Sequence, residues 1–374
     1  MNEAYNIIEE NGMSNNAVIK VVGVGGGGGN MINHMIEKGL HNIELICANT
    51  DAQALQSNKA PIKIQLGKEL TKGLGAGMKP EIGKEAAEES YDDIKRALDG
   101  ADLVFVSAGM GGGTGTGAAS VIAKIAKEIG ALTIGVVTKP FRREGAKRAK
   151  LAEIGFNELK NECDSIVTII NQKLLSIIDR RASTRDAYKM VDDVLYQAVS
   201  GISGVIMEDS RINVDFADLQ TVMGYKGMAL MGIGHKTGEN SAEEALKEAI
   251  ESPLLDDTDI AKAKGILIHW TMNENYPLVD LDEAMESVFG DLMNNENITI
   301  IEGEADNNSL AEDEVKVTII VTGFEDDKKP VNKTEKTSIP KVNLNNIRKI
   351  VGDDYIEVGG EELDTPTWLR NSRD

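Results

Sequence analysis

Two glycine runs, each placed straight after a short β-rich segment, constrain this chain more than any other feature. The first is Val22-Gly23-Val24-Gly25-Gly26-Gly27-Gly28-Gly29-Asn30, behind an apolar run at 18–22. The second is Ala108-Gly109-Met110-Gly111-Gly112-Gly113-Thr114-Gly115-Thr116-Gly117, behind an apolar run at 103–107. Without Cβ atoms, successive backbone N–H groups can approach one anion, and a helix starting there adds about half a unit of positive partial charge. The first run contains G-x-G-x-x-G at Gly23, Gly25 and Gly28, with Asp51 at about the twenty-residue distance of a dinucleotide site. Taken alone, it fits a dinucleotide and a mononucleotide equally well. In the second run two threonines alternate with glycine before a helical pattern, so hydroxyl donors join the backbone in an anion cradle. Two such loops on one sheet suit a nucleotide with a long phosphate tail better than a dinucleotide. The G-x-x-x-x-G-K-[ST] pattern is absent and neither cradle holds a lysine. Phosphate charge is therefore expected to be met by backbone dipoles and by Mg²⁺ carried on the nucleotide.

Around these loops strand and helix alternate. Strand patterns at 18–22, 43–48, 103–107, 132–138 and 166–170 are separated by helical patterns at 30–38, 84–98, after the second run to about 129, and at 146–163. The passage 49–83 is polar and glycine-rich, without a clear period. This order implies a parallel α/β sheet with covered faces. A helical period then runs over 185–207 through Met190, Val191, Val194, Leu195, Val199 and Ile202. Beyond a loop at 209–214 come strands at 229–233, 266–270, 298–301 and 315–322, with helices at 242–251 and 281–289. The expected architecture is α/β: a parallel-sheet nucleotide-binding domain at 17–184, a long central helix at 185–209 and a second α/β domain at 210–323.

The ends are different. Residues 1–16 are polar and acidic, with no basic region followed by an apolar core, and read as a short disordered arm of a cytoplasmic protein. Beyond Phe324 apolar density collapses into a flexible linker at 324–360 with Pro330 and Pro340. The last stretch, 361–374, regains Pro366, Trp368 and Leu369, the composition of a docking peptide. No apolar run approaches the roughly 18 residues of a membrane span. The net charge of −21 repels nucleic acid and anionic lipid, so neither is an expected partner. Cys47 and Cys163 lie in apolar contexts and read as small buried hydrophobes, and His34, His41, His235 and His269 show no metal-ligand spacing.

The run Gly109 to Gly117 resembles the signature of the tubulin/FtsZ GTPase superfamily, in its FtsZ form. Other segments agree in order along the chain. Gly23 to Asn30 resembles the first nucleotide loop, Ala48-Asn49-Thr50-Asp51-Ala52-Gln53 the second, and Gly73-Leu74-Gly75-Ala76-Gly77 the γ-phosphate-sensing loop. Thr138-Lys139-Pro140-Phe141, with Glu144, Gly145 and Arg148, resembles the ribose-facing segment. The resemblance implies a head-to-tail polymerising GTPase of bacterial cell division that binds GTP or GDP with Mg²⁺, K⁺ being left open, and acts in the cytoplasm at midcell. It implies that Gly26, Gly27, Gly28, Gly29 and Asn30, with Gly113, Thr114 and Gly115, hold the phosphates. Asn49 and Asp51 belong to the second loop, and Ala76 and Gly77 approach the γ-phosphate. Thr138, Glu144 and Arg148 face the sugar, Tyr188 stacks on the base, and Asn171 with Asp192 or its neighbour Asp193 reads the guanine edge. A carboxylate there can accept from guanine N1–H and N2–H₂, a pattern that adenine lacks.

Catalysis is implied for Asn213, Asp215 and Asp218, which would enter the nucleotide site of the next subunit and position a water. From residue type alone, Asp215 reads equally as a helix N-cap and Asp218 as a capping-box acid. The tail resembles the peptide that recruits membrane-tethering and regulatory division proteins, with Pro366, Trp368 and Leu369 as anchors. Three positions depart from the superfamily pattern: Gln172 stands for an Asp, Ser120 for a Pro, and Trp270-Thr271-Met272-Asn273 for a segment with paired glycines. Two other classes compete. A nicotinamide-dependent oxidoreductase would need one glycine loop and a catalytic group that the sequence does not display. A non-hydrolysing nucleotide-binding scaffold would have no use for Asp215 and Asp218.

Overall fold

The computed structural model describes residues 17–40, 42–179, 181–207, 215–225, 227–255 and 260–324. The first part runs β1 (Ile19–Val24), α1 (Gly25–Lys38), β2 (Glu44–Asn49), α2 (Ala52–Ser57), β3 (Ile62–Gln65), α3 (Lys68–Thr71), α4 (Pro80–Glu89) and α5 (Tyr91–Leu98). It continues through β4 (Leu103–Gly109), α6 (Thr114–Glu128), β5 (Leu132–Lys139), α7 (Ala146–Glu162), β6 (Ser165–Ile170) and α8 (Asn171–Leu174). The long helix α9 (Thr184–Met207) follows. Then come α10 (Phe216–Met223), β7 (Gly227–Thr237), α11 (Ser241–Ile250), β8 (Gly265–Met272), α12 (Leu278–Met293), β9 (Thr299–Asp306) and β10 (Glu314–Thr322).

The strands form one sheet in the order β3-β2-β1-β4-β5-β6-β7-β10-β8-β9. From β3 to β6 every pairing is parallel, with Val22 of β1 opposite Ile46 of β2 and Val106 of β4. All six residues of β1 are buried, which is why it is apolar on both faces apart from Lys20 and does not alternate. β7 joins β6 in parallel over Ser165↔Gly227 to Val167↔Ala229. It pairs antiparallel with β10, β10 is antiparallel to β8, and β8 is parallel to β9. The α/β expectation therefore holds, with a purely parallel part carrying both glycine runs and a mixed part beyond it.

Helix α9 packs against both parts. Val191, Val194, Leu195, Ala198, Val199, Ile202 and Val205 form its buried stripe, in one cluster with Met31, Ile32 and Met35 of α1 and with Met231, Leu267 and Ile320 of the mixed part. Each fully buried aliphatic side chain of this kind contributes about 1.5–3 kcal/mol, so the stripe holds α9 firmly in place. The mixed part has its own core around Trp270, which is fully buried and donates from Nε1 to Glu302 Oε1 at 2.6 Å. The segment that departs from the glycine-containing pattern thus supplies the largest side chain of that core. Both cysteines are free and buried, and burial raises their thiols, Cys47 to about 11. No described helix is long and apolar enough to cross a membrane.

The structure differs from the sequence reading in four places. α1 begins at Gly25, not at residue 30, because the glycines themselves form its first turns. The passage 49–83 contains α2, β3 and α3, each too short to show a period. The single helix expected over 84–98 is two, broken at Ser90, where φ −97° and ψ 18° leave the helical region. Finally, α4 starts earlier than expected, with Pro80 in its first turn, where a missing N–H costs no helical bond.

Candidate active site

The two glycine runs meet. A Cβ on Gly25 would lie 2.8 Å from the Gly115 nitrogen, and one on Gly27 would lie 3.1 Å from the Gly109 Cα. Each run also starts a long helix: α1 has 14 residues and α6 has 15, neither has a side-chain cap bond, and neither has an acidic residue in its first turn. First-turn N–H groups have no intrahelical acceptor, so two uncapped positive helix ends converge at the ends of the parallel strands β1 and β4. The glycines divide into two kinds. Gly28 and Gly23 permit close packing, since a Cβ on Gly28 would sit 2.5 Å from the Ser107 carbonyl oxygen and one on Gly23 would sit 2.3 Å from the Gly28 oxygen. At Gly26 and Gly112 a Cβ would meet nothing within 4 Å, so their backbone faces open space. Gly29 is buried, and Asn30 is exposed.

The loop at 73–77 closes one side of this mouth. It is tied to the β2–α2 segment by Ala52 N to Gly73 O (3.1 Å) and Gly75 N to Thr50 O (3.3 Å). Ala76 is buried against the second run, since a Cβ on Gly113 would reach its Cβ at 2.8 Å, while Gly77 is exposed with φ +57°. The Thr50 hydroxyl, fully buried, pairs with the Thr114 hydroxyl at 2.6 Å. Asn49 Oδ1 accepts from Asp51 N at 3.2 Å, and Asp51 Oδ1 accepts from Ala54 N at 3.0 Å, capping α2. On the opposite side Thr138 O accepts from Met110 N at 3.0 Å. Arg148, in the first turn of α7, donates from Nη1 to Glu144 Oε2 at 2.7 Å, and its backbone presses against Gly111. Glu144 Oε1 accepts from Phe141 N at 2.8 Å, which fixes the turn between β5 and α7.

Of the residues expected on the base side, Tyr188 of α9 packs edge-on to Phe141 with ring centroids 5.4 Å apart. Tyr188 is 39% exposed. Asn171, at the start of α8, is buried, and its Oδ1 has no hydrogen-bond partner among the described residues. Gln172 beside it accepts from Arg142 N at 3.1 Å through Oε1. The acidic pair on α9 is split. Asp193 Oδ1 accepts from His34 Nε2 at 2.7 Å and pairs with Lys38 Nζ at 2.9 Å, both on α1. Burial raises the Asp193 carboxyl, but bonds to Lys38 and His34 outweigh it and hold the group below its ordinary range. Asp192 has no hydrogen bond within the described structure, and burial pushes its carboxyl up to about 6, opposed by the His34 charge and reinforced by Asp193.

The structure thus brings together two glycine-rich helix starts with no lysine, the loop at 73–77 beside them, Asn171 on α8, and Tyr188 and Asp192 on α9. The chain matches the model of the tubulin/FtsZ family GTPase domain over residues 18–179 and that of the FtsZ family C-terminal domain over 227–325. It is 47% identical over 360 residues to the cell division protein FtsZ of Helicobacter pylori strain J99, an alignment covering 96% of this chain and 93% of that protein. The chain belongs to the FtsZ family. A solved FtsZ from M. jannaschii, described as an empty dimer, superimposes with a TM-score of 0.78 at 45% identity, covering 83% of this chain and 89% of the other. CetZ2 from Haloferax volcanii shares the fold alone, with 20% identity and a TM-score of 0.69 over 83% of this chain and 94% of that one.

Against this FtsZ-family framework, one group of residues stands apart. Asp215 and Asp218 are exposed at the start of α10, which packs on β8 and β9 at the far end of the sheet order from β1. From Asp192 to the end of α9 at Met207 is 15 residues, about 22 Å of helix, and the chain reaches this segment only beyond that end. Asp215 holds the N-cap position, yet its side chain makes no cap bond. Within one chain the structure does not bring these carboxylates to the glycine runs. Asn213, Pro366, Trp368 and Leu369 lie outside the described residues. Sequence reasoning quoted Thr50, Gly112 and Phe141 within its motifs but gave none of them a role of its own. Gly112 was visible only as one glycine among many, and nothing in the sequence marks the Thr50–Thr114 pair.

Proposed function

We propose that this protein is a GTP-dependent, head-to-tail polymerising GTPase that builds the cytokinetic ring scaffold at midcell, with each hydrolytic site shared between two copies. The phosphates would lie across the N–H groups of Gly26 to Asn30 and Gly113 to Gly115, with Thr114 held by Thr50 and the γ-phosphate beside Ala76 and Gly77. The sugar would meet Thr138, Glu144 and Arg148, and the base would stack on Tyr188 with its edge on Asn171 and Asp192. The free Asn171 Oδ1 and the partnerless Asp192 suit donors of a guanine edge. Among the described residues no group of three or more His, Cys, Asp or Glu side chains could hold a metal. Mg²⁺ carried on the phosphates, with K⁺ as a possible helper, would neutralise their charge.

One observation carries the shared-site reading: the exposed, uncapped Asp215 and the exposed Asp218 sit beyond the far end of α9 from the nucleotide residues. Brought by a second copy, they would orient the attacking water, and Asn213 would complete the site. A contact of this kind is heterologous, so it propagates a filament and does not close a dimer. Pro366, Trp368 and Leu369 would recruit membrane-tethering and regulatory division partners. The testing experiment is GTP turnover per molecule against protein concentration, with light scattering followed in parallel. A threshold below which both vanish together is the expected result, and constant turnover down to high dilution would overturn the shared site.

A further inference from the structure

Adjacent helical residues point about 100° apart, so Asp192 and Asp193 cannot serve the same partner. Asp193 is held by α1 through one carboxylate oxygen. Its Oδ1 accepts from His34 Nε2 at 2.7 Å and pairs with Lys38 Nζ at 2.9 Å, two side chains one turn apart on that helix. Tyr196, one turn beyond Asp193 on α9, completes the contact. Its ring meets His34 edge-on at 6.3 Å, and Lys38 Nζ lies 6.0 Å from its centroid. The helix gripped here is the one whose first turn faces the phosphates.

We infer that His34 and Lys38 are positioning residues: by holding Asp193 on α1 they keep it from the base and leave Asp192 to read the guanine edge, tying base selection to the phosphate-binding helix. The inference rests on the assignment of Asp192 as base reader made above. Its physical basis is the contrast within the pair. Two neighbouring carboxylates of equal standing would compete for the base and repel one another. His34 and Lys38 on α1 satisfy one of them and leave the other half-buried, without a hydrogen bond among the described residues. A desolvated acceptor of this kind gains most from a ligand that brings its own donors.

The groups facing Asp192 are His34 from α1 and Asp193 on its own helix, while Lys38 acts through Asp193. Burial raises its carboxyl to about 6, and a guanine edge needs the charged form, so affinity should fall as pH drops through about 6. The His34 charge lowers this value and the Asp193 charge raises it. Removing each should therefore move the midpoint in opposite directions, which a purely structural role would not do.

The test is equilibrium binding of GDP and of inosine diphosphate, which lacks the N2 amine, to the full chain below its assembly threshold between pH 5 and 8. We expect Asp193→Asn, and the double variant His34→Gln with Lys38→Met, to weaken GDP roughly tenfold and inosine diphosphate, which keeps only the N1–H donor, by clearly less. Asp193→Glu, which keeps the charge, should restore most of the preference. His34→Gln should raise the pH midpoint for GDP, and Asp193→Asn should lower it. Equal losses for both nucleotides, or an unchanged preference with an unmoved midpoint, would overturn the inference. Asp192→Asn separates the two claims. If it abolishes the preference while the clamp variants keep it, the clamp falls and the base reader stands. If it leaves the preference intact, both fall.

Discussion

A methyl group added at Gly28 would lie 2.5 Å from the Ser107 carbonyl oxygen, whereas one added at Gly26 would meet no atom within 4 Å. The same substitution should therefore fail in two different ways. Gly28→Ala must push β4 away from α1, and overpacking of this kind costs about 1–3 kcal/mol. Its thermal midpoint should fall, and nucleotide binding should fall with it, because the shift moves the α1 turn that would carry the phosphate-facing N–H groups. Gly26→Ala should fold at least as well as the parent, because alanine favours a helix by about 1 kcal/mol. It should nevertheless weaken GDP binding by roughly tenfold by holding phosphate oxygens off the first-turn N–H groups. Thermal melts and GDP titrations on the two variants check this, and a stable Gly28→Ala protein with a lost nucleotide would contradict it. In the sequence these two glycines are indistinguishable. Only the packing of α1 against β4 separates them, just as only His34 and Lys38 separate Asp193 from Asp192. Asp215 shows the reverse case: its residue type fits an N-cap, and the structure gives it that position without the cap bond.

At the scale of elements, the long strands and helices of the parallel part were legible because they are buried on both faces and carry a period. The passage 49–83 was not, because its short elements are held by neighbours instead of by their own pattern. α3 has four residues, and its first N–H groups are capped from outside: Glu89 at the end of α4 accepts from Glu69 N at 3.0 Å and from Leu70 N at 3.1 Å. Gly67 N donates to the Ser90 hydroxyl at 3.0 Å. These bonds order the approach to the loop at 73–77, which rests on Thr71 through Leu74 N at 3.0 Å. Glu89→Ala removes a remote cap, and loss of a cap costs about 1 kcal/mol. Amide exchange should then quicken over residues 68–77 and stay unchanged in α9. If 73–77 does sense the γ-phosphate, the variant should bind GDP normally and hydrolyse GTP more slowly. Unchanged exchange in 68–77 would show that α3 holds itself.

For the whole molecule, the decisive relation is the length of α9. It carries Tyr188 and Asp192 near its beginning, and the chain reaches Asp215 only after its end, so under the proposed mechanism one copy would carry both halves of a site that a second copy has to close. This separation was not legible from spacing, because residue number alone does not say which end of a helix faces a ligand. It leads to a mixing experiment. Asp215→Ala keeps the nucleotide mouth and lacks the incoming carboxylate. Gly26→Leu fills the mouth, since no protein atom lies within 4 Å of the added Cβ, and keeps the carboxylate. Each variant alone should be inactive. If sites form between copies and the two variants co-assemble at random, one contact in four pairs an open mouth with an intact Asp215, so an equal mixture should recover about a quarter of the parent rate. Recovery should appear only above the concentration at which scattering appears, and it should vanish when either variant carries both substitutions. If the mixture stays inactive while scattering shows that both chains enter the same polymer, Asp215 must serve the nucleotide of its own chain, and α9 would then have to bend or the filament contact would have to be of another kind.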